Sequence, residues 1–272
     1  MTGSVRVGLT LPSFREEIDP LVDVAVAAER AGLDAVFAYD HLFRHAPDGA
    51  VRPALELAPV LGVLAAATSR IAIGALVARA TLRPPAVLAN VFDTARRIGG
   101  DRVIAGIGAG DEESRDEMVT FGYEFGDLPS RLAALDAAVD AVAATGVPVW
   151  VGGNPRFVAE AAVRAGAWNR WGGDAAGFAA GLATITAVAA GAPVVATWGG
   201  LCVLDVTDDA AAAKAARLGA GPRTLVGSPT TVAAASRAYV DAGAAWIVLG
   251  PIDSSDPTNG PLVGEVRARL AG

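Results

Sequence analysis

Lysine is nearly missing from this chain: of 22 basic residues, Lys214 alone is a lysine. Schiff-base chemistry and lysine-based phosphate loops are thereby excluded unless Lys214 supplies them. Lys214 stands in AAAAKAARLG, an alanine-rich helical stretch with an exposed pattern, and is set aside. Cysteine is as scarce. Cys202, the single one, lies in the apolar run GGLCVLDV, cannot form an internal disulfide and reads as a small buried hydrophobe, which suits a reducing cytoplasm. Two histidines are too few for a histidine-rich zinc site. No apolar stretch runs to about 20 residues without charge, so no membrane span is expected. No basic segment leads into a long apolar core at the start, so no signal peptide is expected either. A formal charge of −7 without basic clusters argues against nucleic acid as a partner.

What is abundant is apolar sequence, 53% of 272 residues, enough for a large core without covalent staples. Short apolar runs alternate with helical patterns from end to end. Strands are expected at 5–11, 34–39, 70–77, 101–108, 148–153, 167–173, within 193–206 and at 245–250. The first helix is bracketed by Asp19-Pro20 and Gly32, the usual placing of proline inside the start and glycine past the end. These runs are apolar throughout, as in parallel strands covered on both faces. Eight such units with no linker between them predict one α/β domain over 1–272, a (β/α)8 TIM barrel, in preference to an open doubly wound sheet.

Active sites of such barrels gather at the C-terminal ends of the strands. After strand one this selects Pro12, and after strand two Asp40 and His41, in the stretch VFAYDHLFRH that also holds His45. Strand three is followed by Arg79 and Arg83, candidates for anionic groups, although Arg83 before two prolines also suits a helix start. Strand four ends at Gly108, Ala109, Gly110, Asp111 and Glu112, strand five at Gly152, Gly153 and Asn154, strand six near Trp168. An imidazole beside a carboxylate is tuned for proton transfer near neutrality, so His41 is the expected acid–base group, oriented by Asp40. The spacing of His41 and His45 would suit two metal ligands on a helical face. The segment runs into Pro47 and Gly49, however, and Cys202 is remote, so no metal is expected. A carboxylate-rich cation site of an isomerase, using Asp40 and His41, is a separate reading. GIGAG at 106–110 fails as a dinucleotide fingerprint because Asp111 takes the place of the third glycine. Bare backbone there, and a helix N-terminus after VGGN, suit a flat cofactor that carries phosphate.

The segments AERAGLDAVFAYDHL, RPPAVLANVFDTARRIGGDRVIAGIGAG, PVWVGGN and VGSPTTVAAASRAYVDAGAAWIVL occur in the order that marks one superfamily. Over nearly its whole length the chain resembles the bacterial luciferase-like superfamily, flavin- or deazaflavin-dependent oxidoreductases with barrel folds. The resemblance implies a ring system across the strand ends with His41 near its reacting face. It also implies a non-prolyl cis peptide around Leu76–Val77 and a cofactor-binding set that includes Asp40, Gly108 and Ala109, with Gly152, Gly153 and Asn154 at the cofactor phosphate. Asp111 falls where some deazaflavin-dependent relatives carry a catalytic glutamate, with Glu112 adjacent. The arginine-rich, lysine-poor composition is similar to that of actinobacterial members, which implies coenzyme F420. FMN in a monooxygenase is the alternative, and a non-catalytic flavin-binding barrel a rival of another class. Pro12, His45 and Trp168 are expected to face the small organic substrate. The tryptophan that sugar-phosphate-oxidising relatives carry four residues after the histidine is His45 here, and phosphate-binding lysines are missing, so glucose 6-phosphate is not the expected substrate. The short chain implies reduced insertions over the pocket, and the family implies a homodimer through helices of the second and third units.

Overall fold

The eight apolar segments do lie parallel, as their lack of alternation predicts. The computed structural model describes residues 4–45 and 49–272, so Pro47 lies outside the described residues. The strands are β1 (Arg6–Thr10), β2 (Ala35–Ala38), β5 (Ala72–Arg79), β6 (Val103–Gly108), β7 (Val149–Gly152), β8 (Ala167–Trp171), β9 (Val195–Leu204) and β11 (Trp246–Pro251). In that order each pairs in parallel with the next, and β11 pairs back onto β1, closing a (β/α)8 barrel. Three short strands were not expected. After β2 the chain forms an antiparallel hairpin of β3 (Phe43–His45) and β4 (Val51–Pro53), and β10 (Leu225–Gly227) extends the far end of β9. His45 thus lies on a hairpin strand and His41 in the loop that leads into it.

The helices α1 (Asp19–Arg30), α2 (Leu57–Ala67), α3 (Pro85–Gly99), α5 (Leu128–Ala143), α6 (Pro155–Ala165), α7 (Ala175–Ala189), α8 (Asp208–Leu218), α9 (Pro229–Asp241) and α10 (Asn259–Ala271) accompany these strands. Where a strand-to-helix loop ends, a short polar residue accepts a hydrogen bond from the first turn: Asp127, Asn154, Asp174, Thr207 and Ser228 do so for α5 to α9. Such a cap satisfies a backbone donor that has no partner within the helix. Glu56 caps α2 in the same way, which is why that helix begins at Leu57 and not at Ala54. The stretch after β6 that reads as a polar loop contains a capped 3-10 turn, Glu112–Ser114, and a short helix, α4 (Arg115–Thr120).

Two apolar cores result. One fills the shell between strands and helices, for example Leu9, Val36, Leu61, Ile73, Phe92 and Val263. The other fills the barrel itself with Phe37, Leu76, Ile104, Trp150, Trp246 and Val248. At the top of the barrel, where the site lies, two large side chains require glycine opposite them. A Cβ on Gly108 or Gly152 would come within 2.7 Å of the methyls of Val77, and one on Gly199 within 2.6 Å of the Trp171 ring. The glycines after strands four and five therefore make room for a protein side chain first. Val77 follows Leu76 through a cis peptide bond, in the irregular register between β5 and β6.

Adding a methyl at Gly108 is expected to lower the unfolding free energy by about 1–3 kcal/mol, the scale of an overpacked core. Gly62→Ala, in mid-helix with nothing within 4 Å of the new Cβ, is expected to raise it by about 0.5–1 kcal/mol. Urea unfolding of the two variants checks both signs. A neutral Gly108→Ala would contradict the packing described.

Candidate active site

The C-terminal ends of the strands surround a cleft of about 930 Å³, the size of a cofactor-plus-substrate site. His41 and His45 from the β2–β3 segment line it, as do Leu76, Val77 and Arg79 of β5. Gly108, Ala109, Asp111 and Glu112 follow from β6, and Gly152, Gly153 and Asn154 from the end of β7. Tyr39, Trp171, Arg44, Arg170 and Glu117 complete the wall among the described residues.

The chemistry centres on Glu117, which sequence reasoning missed. Its carboxylate is 5% exposed and sits at the N-terminal turn of α4. Oε1 lies 2.8 Å from His41 Nδ1 and accepts from Arg79 Nη2 at 2.7 Å, while Oε2 accepts from the backbone of Leu42 at 2.7 Å. Burial opposes its ionisation, but the bonds from His41 and Leu42 and the charge of Arg79 outweigh burial and hold the carboxyl at about 2. An ionised carboxylate only accepts, so His41 Nδ1 carries the hydrogen of that bond and Nε2 is the free nitrogen. Arg79 Nη2 also stands 3.0 Å from Nδ1. Since both nitrogens are donors, they converge on one oxygen rather than bond to each other.

Asp40, the expected partner of His41, is turned away. It is buried, absent from the cleft wall, paired with Arg83 at 2.8 Å, and accepts from the backbone of Arg79 at 2.9 Å. Adjacent residues of an extended chain point to opposite sides, so Asp40 and His41 cannot serve one site. Asp40 instead ties the end of β5 to the loop after β2, and Arg83 continues the tie to Glu56 at the start of α2. His45 forms its own pair, Nε2 to Asp116 Oδ2 at 2.8 Å. The two imidazoles therefore go to separate carboxylates on α4 and do not converge on a common point.

Asp111 and Glu112 border the cleft with their carboxylates engaged elsewhere. Asp111 accepts from the Ser114 backbone as a cap, and Glu112 is ion-paired with Arg115, whose bond holds its carboxyl below the usual range. Trp168 is corrected outright: it is fully buried, stacks on Phe178 of α7 with ring centroids 5.5 Å apart, and faces the helix layer. Residues an odd number of positions apart on a strand face opposite sides, and Trp171 rather than Trp168 lines the cleft. Trp171 meets Tyr39 edge-on at 6.2 Å. Pro12 is buried outside the cleft wall. Tyr39 donates to Thr10 at 3.0 Å, and burial pushes its hydroxyl up to about 12, so it faces the cleft as a neutral phenol.

Charge at the wall can be sorted by pairing. Arg79, Glu117, Glu112, Asp116 and His45 are in ion pairs, and Arg131 is buried, donating to the Gly126 carbonyl. Among the described residues Arg170 and Arg44 have no ion pair. Arg170 belongs to β8, beside the Gly152–Asn154 corner, and the N-terminus of α6 opens at that corner. Arg44 stands on the hairpin after β2, four strands away around a ring of eight.

Glu117 gives the site a signed pH dependence. Its folded carboxyl sits near 2 against an ordinary 4.5, so its contribution to stability is full above about 4.5 and is lost as pH falls towards 2. Glu117→Gln is expected to be less stable than the parent at pH 7 and to approach it between pH 4.5 and 3. Urea unfolding at several pH values reads this directly, and a gap independent of pH would contradict it.

With this geometry in hand, comparison with known proteins is informative. Residues 3–145, just over half of the chain, match the family described as luciferase-like monooxygenase. An F420-dependent glucose-6-phosphate dehydrogenase of Microbacterium testaceum is 38% identical over 140 residues, 51% of this chain and 40% of that protein. One from Kineococcus radiotolerans is 41% identical over 122 residues, 44% of this chain and 34% of that protein. The matches thus span about two fifths of the length of these relatives. Among solved structures, an F420-dependent secondary alcohol dehydrogenase in complex with an F420-acetone adduct superimposes over 99% of this chain and all of its own, with a TM-score of 0.82 at 16% identity. The EDTA monooxygenase of Chelativorans sp. BNC1 has a TM-score of 0.78 over 98% of this chain and 94% of its own, at 12% identity. The barrel is shared across them, and the chain belongs to the luciferase-like monooxygenase family.

Proposed function

We propose that this protein is a coenzyme F420-dependent oxidoreductase that moves a hydride between the deazaflavin and the carbinol or carbonyl carbon of a small organic substrate. One observation carries the reading: at the barrel mouth a histidine is fixed at Nδ1 by a buried, ionised carboxylate, which leaves Nε2 for a substrate proton. The names of the relatives support F420 over FMN, and the family membership supports an enzyme.

The residues present fit such a cofactor. The cleft is large, its β7 corner carries Gly153 and Asn154 at the capped N-terminus of α6, and Arg170, without an ion pair among the described residues, stands beside that corner. A helix N-terminus and a guanidinium are the usual recognition elements for a phosphate. Leu76 and Val77 offer an apolar step on the β5 side. Bound there, the deazaflavin supplies a carbon that takes or gives a hydride in a two-electron step. In the oxidative direction His41 Nε2 would take the proton of the substrate hydroxyl. Glu117 stays ionised and stabilises the imidazolium, and Arg79 keeps that carboxylate in place. Tyr39, a neutral phenol whose hydrogen is given to Thr10, forms part of the cleft wall beside His41. In the reductive direction the same Nε2 proton returns.

Glucose 6-phosphate is not the substrate we propose. His45, in place of the tryptophan of sugar-phosphate-oxidising relatives, is bound to Asp116. Lys214 is bound to Asp253 at 2.5 Å, away from the cleft. The exposed Val63 of α2 and Val87 and Ile98 of α3 support a homodimer through these helices, and the buried thiol of Cys202 supports a cytoplasmic setting.

Fluorescence titration is expected to show F420 binding, with FMN at least about tenfold weaker. Arg170→Gln is expected to weaken F420 about tenfold, the worth of one charge-assisted hydrogen bond. His41→Ala should bind F420 within a few-fold of the parent and lose about 100-fold or more in turnover of any active substrate. Tight FMN with no F420 binding would overturn the assignment.

A further inference from the structure

Arg44 is a cation with no counter-charge in a place where one is expected. Directly across the hairpin it faces Arg52, and like charges opposed on two strands repel. Among the described residues neither guanidinium has an ion pair, although the chain carries an excess of acids. Of the acids on α4 that face the hairpin, Asp116 is taken by His45 and Glu117 by His41 and Arg79. Arg44 nevertheless lines the cleft and is held in position, with its guanidinium carbon 4.4 Å from the centroid of Phe14. That ring in turn lies 5.3 Å from the imidazole of His41. The unpaired charge thus stands one aromatic ring away from the proton-transfer group. Arg44 is exposed on the hairpin, and partial desolvation and the charge of Arg52 both lower its affinity for its proton.

We propose that Arg44, backed by Arg52, is the anion-recognition element of the substrate site, so that the substrate carries an oxyanion group, carboxylate or phosphate, close to its reacting carbon. This rests on the oxidoreductase reading above. Arg170, on the opposite side of the ring of strands and beside the α6 corner, serves the cofactor phosphate, which leaves Arg44 for the substrate. Phe14 packs against the guanidinium, and a guanidinium fork suits bidentate contact with a planar carboxylate. The spacing favours a short molecule, a hydroxy or oxo acid whose charged end reaches Arg44 while its hydroxyl or carbonyl meets His41.

The test separates the substrate's anion from the cofactor's. Malonate and inorganic phosphate are titrated calorimetrically into the parent protein, Arg44→Gln, Arg44→Lys and Arg30→Gln, the last an exposed arginine of α1. Coenzyme F420 and its chromophore stripped of phosphate and glutamates are titrated by fluorescence into the same proteins. The expected result is anion affinity about five- to tenfold weaker in Arg44→Gln, partly kept in Arg44→Lys and unchanged in Arg30→Gln. F420 affinity is expected to stay within twofold in all four. Equal anion affinity in the parent and Arg44→Gln would overturn the proposal. So would a loss confined to F420 in Arg44→Gln with the stripped chromophore unaffected, since the anion would then be the cofactor's. If F420 fails to bind the parent while anion affinity still depends on Arg44, the oxidoreductase reading fails and the anion site stands.

Discussion

The position of one carboxylate, that of Glu117, sets the arrangement of the whole barrel mouth. It receives His41 from the loop after β2, the backbone of Leu42 at the start of the hairpin, and Arg79 from the end of β5. Two segments far apart in sequence, at 41–42 and at 79, are thereby fixed to the short helix α4. Burying a carboxylate is unfavourable by several kcal/mol unless it is fully paired, and here the pairing and the hydrogen bonds hold it ionised. The same ionisation decides the tautomer of His41, and the tautomer decides which nitrogen meets a substrate.

A second layer supports this one. Asp40 binds Arg83 and the backbone of Arg79, so the strand that carries Arg79 cannot drift from the loop that carries His41. Below them Val77 fills the space left by Gly108 and Gly152, and Trp171 fills that left by Gly199. The floor of the cleft is thus made of protein side chains packed over bare backbone. The open volume, the unpaired arginines and the free imidazole nitrogen are confined to the rim above it.

Much of this was legible in the sequence, for identifiable reasons. Apolar runs without alternation, each followed by a capped helix, specify a parallel barrel whatever the tertiary detail, and barrel topology then places 40–45, 108–112 and 152–154 at one end. The family resemblance located the Leu76–Val77 cis bond, which no periodicity encodes. What stayed hidden was direction. A residue next to His41 in sequence seemed the natural partner, yet successive side chains of an extended segment diverge, and Asp40 faces Arg83. The true partner lies 76 positions away in a stretch that reads as a polar loop. A signal for it exists: Asp111 and Ser114 form a cap, and acids fill the turn before Met118 and Val119, as in the first turn of a helix. Trp168 and Trp171 were interchanged for a similar reason, since strand parity is fixed by the register of β8 against β9 and not by composition.

The central claim is that ionised Glu117 holds the proton of neutral His41 on Nδ1 and presents a bare Nε2 to the cleft. Nitrogen-15 NMR of histidine-labelled protein, with His45→Gln to assign the two rings, measures this most directly. The account predicts a protonated Nδ1 and an unprotonated Nε2 for neutral His41 in the parent, with that preference lost in Glu117→Gln. A proton on Nε2 with Glu117 intact would contradict it.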